Sequence, residues 1–207
     1  ISTNNGSAWT QSGLVGLQVN ALIAKDNTIL AGVQDYPPGA GGVYVSTNNG
    51  TSWVRVGSNY TVLSLAILGN NILAGTHLDG LLRSTNNGAN FSSISIGSNT
   101  INALKVAGSN IFAGVNDSGV YVSTNNGANW TSTTLNNKTV LSLTVSGTNI
   151  FAGTYDSGVY FSSNNGATWT QTSLGGNYYI LSMASRGNNI FAGTYGFGIF
   201  HSSNNGT

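Results

Sequence analysis

Short apolar runs recur along the whole chain, each closed by Gly, Asn or Asp. One stretch shows the pattern: Val140-Leu141-Ser142-Leu143-Thr144-Val145, a turn at Gly147-Thr148-Asn149, then Ile150-Phe151-Ala152-Gly153-Thr154. Next come Gly158-Val159-Tyr160-Phe161-Ser162, a tight turn at Asn164-Asn165-Gly166, and Thr168-Trp169-Thr170-Gln171-Thr172. These runs are rich in β-branched and aromatic residues, so each predicts a strand. No segment combines a 3.6-residue apolar period with helix caps. The expectation is an all-β protein of four-stranded units, with strands A to D in chain order.

The unit repeats. Asn-Asn-Gly ends at Gly6, Gly50, Gly88, Gly127, Gly166 and Gly206, at intervals of 38 to 44 residues. Length changes fall between the uniform segments, as around Tyr36-Pro37-Pro38-Gly39-Ala40. Such positions suit loops on a repeated scaffold. A single four-stranded sheet has two apolar faces and cannot bury both, so about 40 residues per unit points to radially packed blades. The small Ala-Gly pair in every strand B lets neighbouring sheets approach. The sequence opens inside a strand C at Ile1 and ends with strands A, B and C of a fifth unit. The fold expected is a five-bladed β-propeller of antiparallel blades. Residues 1–207 form one domain, and residues 1–18 complete the C-terminal blade and close the ring, leaving no open edge.

The turn between strands C and D carries a specific pattern, Ser-x-Asn-x-Gly-x-x-Trp. It stands at Ser2/Asn4/Gly6/Trp9, Ser46/Asn48/Gly50/Trp53, Ser123/Asn125/Gly127/Trp130 and Ser162/Asn164/Gly166/Trp169. Phe91 replaces Trp after Ser84/Asn86/Gly88, and the copy at Ser202/Asn204/Gly206 stops before its aromatic. This pattern resembles the Asp-box, or BNR repeat, of sialidases, sortilin-type receptors and photosystem II assembly-factor propellers. Asn replaces the box Asp in every copy. The resemblance implies a propeller whose boxes lie opposite the binding face. The Asn side-chain oxygen can accept backbone N–H groups in the turn, and Gly suits a position with positive φ.

Composition narrows the chemistry. Charged residues make up only 5% of the chain, and Cys is absent. A formal net charge of +1 gives no basic footprint for nucleic acid. No apolar run approaches the roughly 20 residues of a membrane span. Disulfides and thiolate metal sites are excluded. The resemblance to sialidases would imply an arginine cluster, a Tyr nucleophile paired with Glu, and an acidic Asp. The sequence contains no Glu, and Arg55, Arg83 and Arg186 fall where they cannot converge on a central site. His77 and His201 lack ligand-spaced companions. The expectation is therefore no catalytic residue, no metal and no cofactor.

Function is expected where the units differ. The B-to-C loops and D-to-A connections vary most, and strand alternation places both sets on one rim. That rim collects Tyr36, Tyr60, Tyr155, Tyr178, Tyr179, Tyr195, Phe197 and His77. Amphipathic aromatics beside small polar groups suit recognition of glycan or protein. The candidate ligand contacts are Asp35, Tyr36, Tyr60, His77, Asp79, Asp117, Tyr155, Asp156, Tyr178 and Tyr195. The Asp residues can also be read simply as turn formers. Three roles stay open: an extracellular or cell-surface binding module, a structural spacer or oligomerising domain of a larger cell-surface or filament protein that contacts other domains or like subunits, and, least favoured, a glycoside hydrolase of sialidase type.

Overall fold

The computed structural model describes residues 1–98, 100–204 and 206. Asn205 of the last box therefore lies outside the described residues. Among the described residues, nineteen strands form five antiparallel sheets. The first contains β1 (Val19–Lys25), β2 (Thr28–Val33), β3 (Gly42–Ser46) and β4 (Val54–Ser58). The second contains β5 (Val62–Leu68), β6 (Asn71–Thr76), β7 (Leu81–Ser84) and β8 (Ser92–Ile94). The third contains β9 (Ile101–Ala107), β10 (Asn110–Val115), β11 (Gly119–Ser123) and β12 (Thr131–Ser132). The fourth contains β13 (Val140–Ser146), β14 (Asn149–Thr154), β15 (Val159–Ser162) and β16 (Thr170–Gln171). The fifth has three strands, β17 (Ile180–Arg186), β18 (Asn189–Thr194) and β19 (Gly198–Ser202).

Strands A, B and C fall where the apolar runs place them. Strand D is shorter than expected in the third and fourth sheets, at Thr131–Ser132 and Thr170–Gln171. The box turn takes up Thr168, whose N–H bonds to Asn164 Oδ1 at 2.9 Å. Backbone pairing resumes beyond the strand, from Thr172 N to Val159 O and from Val159 N to Leu174 O, each 2.9 Å.

The core lies between sheets. Each seam holds one apolar cluster built from equivalent positions. Between the third and fourth sheets, Phe112, Val120 and Leu135 meet Val140, Leu143 and Ile150, with Trp169 packed against them. Phe91 and Trp130 pack the same way at the two preceding seams. The strand-B glycine makes this approach possible. A Cβ on Gly114 would lie 2.7 Å from Val140 Cγ1, and one on Gly153 would lie 2.5 Å from Ile180 Cγ2. Each seam also carries a side-chain bond to the first residue of the next strand A. Asn20 Nδ2 reaches Val62 O at 3.0 Å, and Ser64 Oγ reaches Ile101 O at 3.2 Å. Asn102 Nδ2 reaches Val140 O at 3.1 Å, and Ser142 Oγ reaches Ile180 O at 3.2 Å.

The expected ring closure differs from what forms. Among the described residues, the N-terminal segment adds no strand to β19. Ile1 and Thr10 exchange backbone bonds, and the segment seats on the first sheet's own box. Ser12 Oγ donates to Gly50 O at 2.5 Å, and Trp53 Nε1 donates to Ser12 O at 2.7 Å. Residues 1–12 thus behave as the outer half of a unit placed before the first sheet. Leu22 of β1 and Ile199 of β19 are left 67% and 76% exposed, so the two end sheets do not cover each other. What the structure supports is an all-β chain of five antiparallel sheets with propeller-like packing.

Candidate functional site

The box turns act as structural clamps. In the third sheet, Gly127 N donates to Ser123 Oγ at 2.9 Å, and Ser123 Oγ donates to Asn125 Oδ1 at 3.0 Å. Asn125 Oδ1 also accepts from Asn129 N at 2.8 Å. The same three bonds recur at Ser46, Ser84 and Ser162. One amide oxygen therefore serves two donors, which explains how Asn performs the task of Asp in this turn. Its NH2 finds work as well: Asn164 Nδ2 donates to Thr168 Oγ1 at 2.8 Å. Asn126 and Gly127 both have positive φ, 58° and 79°, which Asn-Gly adopts with least strain.

The opposite rim is built as the strand order requires. The first residue of each B-to-C loop pairs with the D-to-A connection: Gln34 N to Gln18 O, His77 N to Thr61 O, Asn116 N to Thr100 O, Tyr155 N to Thr139 O and Tyr195 N to Tyr179 O, each 2.8 to 3.0 Å. This ladder holds both variable segments side by side.

On the fourth and fifth sheets the rim forms an aromatic stack. Tyr155 and Tyr179 lie 4.4 Å apart between ring centroids at 14°. Tyr179 and Tyr195 follow at 6.2 Å and 28°. The Tyr155 hydroxyl beside it, first by hydrogen bonding and then by charge repulsion, raises the Tyr179 pKa above the ordinary phenol value. Tyr155 and Tyr195, which flank Tyr179, are exposed.

The other candidates separate from this stack. Tyr178 turns inward, edge-on to Phe197 and Phe200 at 5.2 Å each, and packs on the last seam. Tyr60 packs on the first seam. Tyr36 and His77 are exposed on the first and second sheets, and no ring contact joins them to the stack among the described residues. Three of the candidate carboxylates are engaged by neighbouring groups. Asp35 Oδ1 accepts from Gly39 N and Gly41 N at 2.8 Å each. Asp117 Oδ1 accepts from Thr139 Oγ1 at 2.7 Å, and Asp156 Oδ1 accepts from Ser157 Oγ at 2.8 Å. Asp79 sits exposed at its loop tip, with its N–H on Thr76 Oγ1. Asp35 thus closes its own loop, Asp117 ties its loop to the D-to-A connection, and Asp156 accepts from its neighbour.

The stack's central ring, Tyr179, belongs to the rim but was outside the candidate contacts. The tandem Tyr178-Tyr179 held the signal. Successive extended residues face opposite ways, so one ring enters the core and the other joins the rim. Arg55 and Arg83 each bind groups of their own surroundings. Arg55 binds Gly39 O, Gly41 O and Asn59 Oδ1, and Arg83 links Asn71 Oδ1 to Asn126 O of the next sheet's box. Among the described residues, no group of three His, Asp or Glu side chains could hold a metal.

No family model and no curated protein matches the sequence. Solved structures do match, and they are propeller-like. The computationally designed Ika8 protein superposes with a TM-score of 0.70 at 18% identity, over 92% of this chain and 59% of that one. The GH74 enzyme of Niastella koreensis gives 0.73 at 20%, over 91% of this chain and 37% of that one. YCF48 bound to D1 peptide gives 0.67 at 15%, over 98% and 71%. The chain thus spans well under two thirds of the first two. At these identities the likeness shows the fold alone, and it includes both an enzyme and a peptide-bound protein.

Proposed function

We propose that this chain is a non-enzymatic recognition propeller of Asp-box type, with Asn in the box, that binds a glycan or protein through its Tyr-rich rim. We place it outside the cell, where low charge and the absence of Cys are compatible with a secreted or cell-surface module. The observation that carries the reading is the stack of Tyr155, Tyr179 and Tyr195, which offers exposed aromatic rings on a scaffold fixed by backbone bonds. Flat rings held in place lose little freedom on binding and can stack on a sugar face or an apolar side chain. The carboxylates favour binding over hydrolysis, because Asp35, Asp117 and Asp156 each engage a separate nearby group rather than meeting in a pair.

The test is a glycan array and a peptide library probed with the wild-type chain, then titration of any hit with Tyr155→Ala and Tyr195→Ala. Each variant should weaken binding about tenfold, or about 1.4 kcal/mol, with the melting temperature unchanged. Full binding by both variants, or turnover of a glycoside by the wild type, refutes the proposal. A structural module that associates with like subunits is the second reading, and the uncovered faces of the first and last sheets favour it.

A further inference from the structure

Every Asn-Gly pair of the sequence lies in a box turn. Asn is a thermolabile residue, and a following Gly, with no Cβ, leaves its backbone nitrogen unhindered for attack on the Asn side chain. The fold nevertheless requires the pair. In the boxes of the first four sheets the Asn has positive φ: 55° at Asn49 and Asn87, 58° at Asn126 and 56° at Asn165. Asn enters this left-handed region more readily than most residues with a side chain. The glycines that follow, Gly50, Gly88, Gly127 and Gly166, also have positive φ and are buried. A Cβ on Gly127 would lie 2.6 Å from Leu73 Cδ2, and one on Gly166 would lie 2.8 Å from Phe112 Cε1, both in the preceding sheet. The turn and the seam thus impose the labile pair, so protection has to come from its surroundings.

The two reacting groups sit in opposite environments. Asn49, Asn87, Asn126 and Asn165 are exposed, and among the described residues no hydrogen bond holds their side-chain amides. The glycine nitrogens are held inside. Gly50 N donates to Ser46 Oγ at 2.8 Å, and Gly88 N, Gly127 N and Gly166 N donate to Ser84, Ser123 and Ser162 Oγ at 2.9 Å each. These four serines are only 1% exposed. Each serine's own hydrogen is committed to the first Asn of its box, to Oδ1 of Asn48, Asn86, Asn125 or Asn164, at 2.8 to 3.0 Å. A lone pair of Oγ is therefore fixed on the glycine N–H. Solvent base is kept from that proton, and the peptide plane cannot rotate toward the Asn side chain without breaking the bond.

We infer that Asn49, Asn87, Asn126 and Asn165 are latent deamidation sites, and that the box serine is the latch that keeps each one closed. When the third sheet's box opens, Gly127 N attacks Asn126 Cγ. The new C–N bond closes a succinimide ring, the bond from Cγ to the side-chain nitrogen breaks, and that nitrogen leaves as ammonia with the proton that Gly127 N gives up. Water then opens the ring to aspartate or isoaspartate. Either product adds a negative charge. Isoaspartate also adds a backbone carbon to the turn that seats Gly127 on Leu73, so it disrupts the seam between the second and third sheets. Conversion at each Asn then records how often its own box has opened. The inference does not rest on the rim as a binding site.

Incubation of the 207-residue chain in mildly alkaline buffer, followed by peptide mapping with mass spectrometry, tests it. In the folded wild type all four Asn should stay amidated while the same peptides convert in urea. Ser123→Ala should speed conversion of Asn126 about tenfold or more, because the glycine N–H loses its partner. Asn49, Asn87 and Asn165 of the same molecule should keep their wild-type rates. Ser162→Ala should move the effect to Asn165, and Ser123→Thr, which keeps the hydroxyl, should protect Asn126 better than Ser123→Ala. Equal rates at Asn126 in the folded and the urea-unfolded wild type overturn the inference. So does an unchanged Asn126 rate in Ser123→Ala. Equal acceleration of all four sites in that variant also overturns it, because global unfolding rather than the box would then limit the chemistry.

Discussion

Replacing Gly114 by Ala isolates the contact between neighbouring sheets. The backbone at Gly114 needs no positive φ, so Ala suits the strand locally. Through the unfolded state alone, the exchange would stabilise by about 0.4–1 kcal/mol. Packing opposes this. The new methyl would lie 2.7 Å from Val140 Cγ1, 3.2 Å from Val140 Cβ and 3.3 Å from Ala103 Cβ. Val140 is fully buried and cannot swing away. Overpacking of this kind costs about 1–3 kcal/mol, so the net loss should be about 0.5–2 kcal/mol. The internal control is Gly193→Ala in the fifth sheet. There the methyl approaches only Ser182 Oγ, at 2.6 Å, and an exposed hydroxyl can rotate aside. Melting of both variants at dilute concentration reads the difference. Each kcal/mol should lower the midpoint by about 2–4 °C in a chain of this size. If Gly114→Ala melts at or above the wild-type temperature, or if Gly193→Ala costs more, sheet-to-sheet approach is not the reason for the strand-B glycine.

Two further outcomes test the box and the rim. Ser123→Ala removes the acceptor for the buried Gly127 N–H and the donor to Asn125, so it should destabilise by about 1–3 kcal/mol, whereas Ser123→Thr should recover part of that loss. The measurement is thermal or urea unfolding, and a neutral Ser123→Ala would show that Asn125 alone holds the turn. Tyr179 should titrate above the ordinary phenol value near 10, and Tyr155→Phe should bring its pKa down. A raised folded pKa favours the neutral ring, so this contribution is present below pH 10 and is lost as pH rises through the folded value. Residue-resolved NMR titration of Tyr179 checks it, and an unchanged value in Tyr155→Phe contradicts the hydrogen-bond origin.

Local pattern determined most of the architecture. Strand identity, the antiparallel order within each sheet and the Asn-Gly turns follow from alternation and backbone preference acting over a few residues. The repeat then placed Val62, Ile101, Val140 and Ile180 in one column, because equal sequences fold equally and stack on one another. The seam glycines could be recognised for the same reason. The rim was legible only as a composition. Whether Tyr178 or Tyr179 faced solvent, and whether Asp117 pointed outward, depended on contacts with residues about 20 positions away in the chain. Asp35 is spent on its own inserted loop, and Tyr178 is drawn into a seam.

The end of the array was decided by the tertiary structure alone. A strand C with its Ser-x-Asn-x-Gly box at both termini suggests closure to a pattern reader, but closure depends on how far each sheet turns relative to the last. That angle arises from the summed packing of all four seams and has no local signature. It leaves Leu22 of β1 and Ile199 of β19 exposed on the two end sheets.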